Sequence, residues 1–268
     1  MFAKVFASET CDNVLRNNCV SIYNVINKKM STHSHELLET YASKQRDCTL
    51  LLRKVAGANW PPKVVTHRGA SVGLVDIFAE AGVSLHCIML EDDVVPAAGG
   101  RSFEPADLRS VLVSTLTKYG NIGSTEWIAC ILIVPEILTV TNGRFTRPLG
   151  LMFDVTASDT GTKARQGCAV AYRRVQCDDR TYLRTIAHEL GHVFNLRHPG
   201  EASEPYSWDA VNTLMVPNQY LRPREQYPDS IEFRFSSADR AWLQHAPDYY
   251  VRPGGADYGA RPPDWKPP

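Results

Sequence analysis

Residues 188–198 read His188-Glu189-Leu190-Gly191-His192-Val193-Phe194-Asn195-Leu196-Arg197-His198. An α-helix advances about 100° per residue, so His188 and His192 lie about 40° apart and share one face. On the same projection Leu183, Ile186, Leu190 and Val193 gather about 140–220° away as an apolar stripe. This is the pattern of a helix buried on one side and open on the other to a cleft. His198 cannot join the pair from the same straight helix, because at about 1.5 Å per residue it would stand about 15 Å along the axis from His188. The chain must turn back after Phe194. Asn195 stands where the turn is needed, and Asn is the usual substitute for Gly at the left-handed position that ends a helix. The spacing predicts a helix over 180–194, with Asp178 or Asp179 as its cap.

Three neutral imidazoles with an open fourth position are the coordination set of a catalytic zinc, whereas a structural zinc is usually closed by four protein ligands, often Cys. An ion held in this way lowers the pKa of water from about 15.7 to about 7 and polarises a substrate carbonyl. Glu189, about 100° round the helix from His188, is placed to accept a proton from the attacking water and pass it to a departing amine. The expected metal ligands are therefore His188, His192 and His198, with Glu189 as the catalytic base and one Zn2+ as cofactor.

The pattern resembles the metzincin metallopeptidase signature, His-Glu-x-x-His-x-x-Gly-x-x-His with a later Met-turn. His188, Glu189, His192 and His198 match it position by position. Asn195 departs from the usual Gly and leaves the subfamily open. Pro199, directly after the third His, is similar to the serralysin-like branch, but the Gly-rich calcium repeats that often accompany that branch are missing, since Gly254-Gly255-Ala256-Asp257 does not recur. The resemblance implies a zinc-dependent endopeptidase acting on a peptide or protein. It also implies an α/β (α+β zincin-like) fold: a twisted mixed sheet, an active-site helix and a small C-terminal subdomain.

Within that frame, Asn212-Thr213-Leu214-Met215-Val216-Pro217 is the candidate Met-turn, with Met215 as an apolar floor under the metal. Some metzincins place a Tyr two positions after this Met to assist the tetrahedral intermediate. Pro217 occupies that position here, and Tyr220 is the nearest candidate. Leu149-Gly150-Leu151-Met152 is the candidate substrate-binding edge strand, able to add a peptide by backbone bonds, with an ordinary internal strand as the other reading. Two alternatives for function stay open: a zinc-dependent exopeptidase or other amidase, and a non-catalytic, zinc-stabilised peptide-binding module.

The 268 residues, 44% hydrophobic, fit one moderate domain with extensions. Lys plus Arg equals Asp plus Glu at 29 each, so no general field draws in nucleic acid or an anionic membrane. The longest apolar run, Trp127 to Val134, is too short to span a bilayer and reads as a buried strand. The first thirty residues hold no continuous apolar core of a secretory signal. That points to the cytoplasm by default, or to non-classical export, although most metzincins are exported. Seven Cys, at 11, 19, 48, 87, 130, 168 and 177, show no paired short spacing and read as reduced thiols.

Along the chain, residues 1–58 read as a mainly helical extension, with a helix start at Ser31-Thr32 and a break at Asn59-Trp60-Pro61-Pro62. Some metzincin pro-segments block zinc with a Cys, which makes this extension a candidate pro-segment carrying Cys11, Cys19 and Cys48, none of them in the recognised switch motif. Residues 59–247 form the metallopeptidase-like domain. Its expected strands lie at 63–66, 83–90, 127–134, 149–155 and 168–172, and its helices at 71–81, 105–119, 180–194 and 235–244. Residues 248–268, rich in Pro and Gly, read as a flexible tail. His33 and His35 read as a solvated pair, and His67, His86 and His245 as ordinary core or surface residues.

Overall fold

Strand β1, Arg46–Lys54, is followed by the hairpin β2 (Val64–His67) and β3 (Ala70–Gly73), helix α1 (Leu74–Glu80) and strand β4 (Val83–Met89). Helix α2 (Pro105–Tyr119) and strand β5 (Trp127–Val134) come next, then a second hairpin, β6 (Thr139–Thr141) and β7 (Arg144–Thr146). Strands β8 (Gly150–Met152) and β9 (Gly167–Ala171) lead into α3 (Tyr172–Val175) and the motif helix α4 (Asp179–Val193). Helices α5 (Ser237–His245) and α6 (Asp248–Val251) close the order. These assignments come from a computed structural model that describes residues 45–91, 102–120, 126–153, 163–201 and 209–266. The expectations for Ser31-Thr32, His33, His35, Cys11, Cys19 and the turn at 158–162 lie outside the described residues.

The central sheet has the order β4-β1-β5-β9-β8. β4, β1, β5 and β9 run parallel, and β8 pairs antiparallel with β9 at one edge. Every residue of β5 and β9 is buried. An unbroken apolar run of this kind, without alternation, belongs to a parallel strand covered on both faces. Helix α2 packs on β5 and β9, and α4 packs on β5, β8 and β9. Helix α2 buries Leu108, Val111, Leu112 and Leu116, as the spacing predicts, and begins with Pro105 in its first turn. Among the described residues no helix is long and apolar enough to cross a membrane.

Two boundaries are corrected. Residues 46–54 belong to the sheet rather than to a helical extension ending at 58: β1 lies between β4 and β5, so the compact unit begins at Lys44. Leu50-Leu51-Leu52 misled because a short apolar run has no period by which to tell strand from helix. Its Cys48 is a buried core residue. Nor are residues 248–266 a flexible tail, since they carry α6, bury Val251 and Ala256, and dock against the end of α4. Pro and Gly exclude long regular elements from this segment, but they do not prevent packing through irregular backbone.

Candidate metal centre

The carboxylate of Asp178 accepts the N–H groups of Arg180 at 2.8 Å and Thr181 at 3.0 Å, so Asp178 is the N-cap of α4. At the other end the N–H of Asn195 bonds the His192 carbonyl at 2.9 Å, and that of Leu196 bonds the Gly191 carbonyl at 3.0 Å. This pair of bonds is a Schellman stop with Asn195 at φ 65° in the left-handed region. The chain reverses there, and His198 comes back beside the helix.

The reversal brings three Nε2 atoms together: His188 to His192 at 3.2 Å, His192 to His198 at 3.1 Å, and His188 to His198 at 3.2 Å. A tetrahedral ion with bonds of about 2.0–2.1 Å has ligand-to-ligand edges of about 3.3 Å, so the triangle fits one ion. The opposite nitrogens fix the tautomers. His188 Nδ1 donates to the Leu214 carbonyl at 2.6 Å and His192 Nδ1 to the Leu196 carbonyl at 2.8 Å, while His198 Nδ1 lies 3.4 Å from the Glu201 carboxylate. With the protons on Nδ1, the Nε2 lone pairs face one another, an arrangement a cation at their centre makes favourable. Burial is the main cause that holds His188 well below the usual imidazole range and takes His192 down to about 3, and it lowers His198 too. The neighbouring imidazoles push His188 and His192 the same way. The rings are therefore neutral near pH 7, the state that metal binding requires. Among the described residues this is the cluster able to hold a metal ion.

Glu189 is buried beside the edge strand. A β-carbon on Gly150 would stand 2.5 Å from Glu189 Cγ and 2.9 Å from its Oε1, so the glycine leaves room for the carboxylate. Strand register explains what else reaches it. The Ala171 N–H bonds the Leu149 carbonyl at 2.8 Å, which makes 149 and 171 a hydrogen-bonded pair; Gly150 and Met152 then turn their backbone groups away from β9. The outward N–H of Met152 donates to Glu189. Burial raises the Glu189 carboxyl to about 8, against the pull of that N–H and of Arg184. A divalent cation in the triad would favour its ionised form again.

Met215 is fully buried, and its sulfur packs on Gly191, where a β-carbon would collide with it. Gly191 is thus a close-contact glycine between the two motif histidine turns. The loop holding Met215 is tied to α4 by the buried Arg184, which donates to the carbonyls of Val216 and Leu214 and to the Asn218 side chain. Phe194 and Phe235 both meet Phe78 edge-on, with ring centroids 5.4 and 5.1 Å apart, and pack behind the end of α4.

Sequence reasoning placed His188, Glu189, His192 and His198 together; the structure gathers the three histidines, and Glu189 lies buried against Gly150 and Met152 of the edge strand. Leu149–Met152 falls at the edge of the sheet, with Gly150 and Met152 beside Glu189. Tyr220 ends a short 3-10 turn at 60% exposure and is not among the side chains bonded to the triad. The tyrosine that does reach it is Tyr258, whose hydroxyl lies 3.2 Å from His192 Nδ1. Glu201 and Arg184 were missed as well. Glu201, three residues after His198, could have been flagged by its spacing, whereas Tyr258 gave no signal because the contact spans 66 residues. Compared with known protein families and with curated proteins, the chain has no match in either.

Proposed function

We propose that this protein is a zinc-dependent endopeptidase with Zn2+ held by His188, His192 and His198. The observation that carries the reading is the convergence of three neutral Nε2 atoms within 3.1–3.2 Å, next to a buried carboxylate one residue from a ligand. Zinc supplies Lewis-acid chemistry there, acidifying water and polarising the scissile carbonyl. Glu189 takes the proton from the attacking water and returns it to the amide nitrogen as the C–N bond breaks, so no covalent enzyme intermediate is needed. The Met152 N–H and Gly150 hold the carboxylate in one place while it does so.

The antiparallel edge strand favours an endopeptidase over an exopeptidase. The outward groups of Gly150 and the carbonyl of Met152 offer ladder bonds to an extended peptide running on past both sides of the scissile bond. In this reading the loop of Met215 serves as the Met-turn, its sulfur packed beneath the ligand-bearing helix.

The test combines metal analysis of the purified chain with cleavage of an unbiased peptide mixture whose termini are blocked. One zinc per chain and internal cleavage that stops with a chelator and returns with zinc are expected. Cleavage of unblocked peptides only would point to the exopeptidase alternative. Bound zinc and bound peptides with no cleavage would point to the binding module.

A further inference from the structure

Asn195 does more than end the helix. Its side-chain amide donates to the carbonyls of Tyr250 at 2.9 Å and Ala260 at 3.0 Å, and its side-chain oxygen accepts the Gly259 N–H at 2.7 Å. Its own carbonyl accepts from Arg261 at 3.0 Å, and Arg197 bonds the Gly259 carbonyl. The turn between His192 and His198 is thereby joined to residues 250–261 on both sides of its sharpest residue. Arg165, fully buried and also left-handed at φ 59°, bridges the same two parts. It donates to Val193 at the end of α4 at 2.8 Å, to Ala256 at 2.6 Å and to Arg252 at 3.0 Å. Outside this junction Arg261 lies over Trp242, 3.9 Å from the ring centre, and Trp265 meets Trp242 edge-on.

The docked segment carries Tyr258 to the metal ligands. Its hydroxyl is 3.2 Å from His192 Nδ1 and 3.5 Å from the Glu201 carboxylate. That carboxylate also takes the backbone N–H of His198 at 3.1 Å and faces His198 Nδ1 at 3.4 Å. One tyrosine and one glutamate thus link the outer sides of two imidazoles whose inner nitrogens converge. Groups in this position set ring orientation and ligand basicity, and losing one typically weakens metal binding about 10–100-fold.

We propose that residues 248–266 are a built-in clamp of the metal centre, anchored by Asn195, in which Tyr258 acting with Glu201 is a positioning residue for His192 and His198. The proposal rests on the reading of the triad as a zinc site. It also accounts for Asn in place of Gly at 195: glycine would satisfy the left-handed turn but would lose three hydrogen bonds to the clamp.

Two variants of the full chain test it, Tyr258→Phe and Asn195→Gly, by zinc affinity measured in competition with a chromophoric chelator. The absorption spectrum of the cobalt-substituted protein and the melting of the metal-free protein are recorded alongside. Tyr258→Phe is expected to weaken zinc about tenfold and shift the cobalt bands while metal-free melting stays unchanged. Asn195→Gly is expected to weaken zinc at least as much. If both variants bind zinc within about twofold of the parent, the clamp is overturned while the zinc site stands. A parent chain that takes up no zinc overturns both.

Discussion

The Nδ1–H of His188 and the guanidinium of Arg184, one helical turn apart on α4, end on the same carbonyl oxygen, that of Leu214. Arg184 also bonds Val216 and Asn218, so a buried cation fixes the loop whose carbonyl orients the His188 ring. Burial lowers the guanidinium to about 10, which still leaves it charged at neutral pH. Hydrogen bonds to charged groups contribute about 1.5–3 kcal/mol each. Arg184→Met is therefore expected to lower unfolding free energy by about 2–4 kcal/mol, read from a urea titration of the metal-free protein. A change below about 0.5 kcal/mol would show that the loop holds itself.

Glu189→Gln separates catalysis from metal binding. The isosteric amide keeps the three imidazoles but cannot take the water proton, so zinc content should stay at the parent level while turnover falls by about 10²–10⁴. Unchanged turnover would remove Glu189 from the mechanism.

Gly150→Ala puts a methyl group 2.5 Å from Glu189 Cγ and 2.9 Å from Thr185 Cγ2, so one of the two must give way. Overpacking of this kind costs about 1–3 kcal/mol. Reduced melting temperature, unchanged zinc stoichiometry and at least about tenfold slower cleavage are expected from a displaced base. Parent-like kinetics would show that the carboxylate needs no such precise seat.

Among the described residues, three buried thiols make the fold sensitive to alkali. Burial pushes Cys48, Cys130 and Cys168 up, Cys130 to about 12, from an ordinary value of 9.0. Between pH 9 and about 12 the unfolded chain gives up these protons while the folded chain keeps them, so stability falls as pH rises. Each thiol adds about 1.4 kcal/mol per pH unit to that fall, and Cys130→Ala should make the pH 9–11 slope of the urea midpoint visibly shallower. An alkylation map at pH 8 should label the exposed Cys87 and Cys177, with Cys48, Cys130 and Cys168 labelled only after denaturation.

Deletion end points test the corrected boundary. A chain starting at Lys44 keeps β1 between β4 and β5 and should melt cooperatively, whereas one starting at Asn59 loses a central strand and should not fold. Circular dichroism on heating distinguishes them. Activity assays for latency are meaningful only with the shorter deletion.

His188, Glu189, His192 and His198 were legible as a group because they sit within eleven residues on one helix and one turn, where local periodicity dictates position. The helix α2 was legible for the same reason and the strand β5 as the longest apolar run in the chain, both down to their first and last residues. The hairpin of β6 and β7 escaped notice, since strands of three residues leave almost no pattern. The outer contacts of the imidazoles escaped for a different reason. Leu214 and Tyr258 reach the triad through tertiary approach, Glu201 through the local turn three residues after His198, and composition gave residues 248–266 the look of a linker.

The bonds from Asn195 to Tyr250, Gly259 and Ala260 also set an order of events during synthesis. A nascent chain leaves the ribosome N-terminus first, so His198 emerges about fifty to sixty residues ahead of the backbone groups that lock its turn. Until those groups arrive, the reversal is held only by its local bonds, those of Asn195 and Leu196 to the end of the helix and of His198 to Glu201. A released chain truncated before residue 250 should retain zinc far more weakly than the full chain.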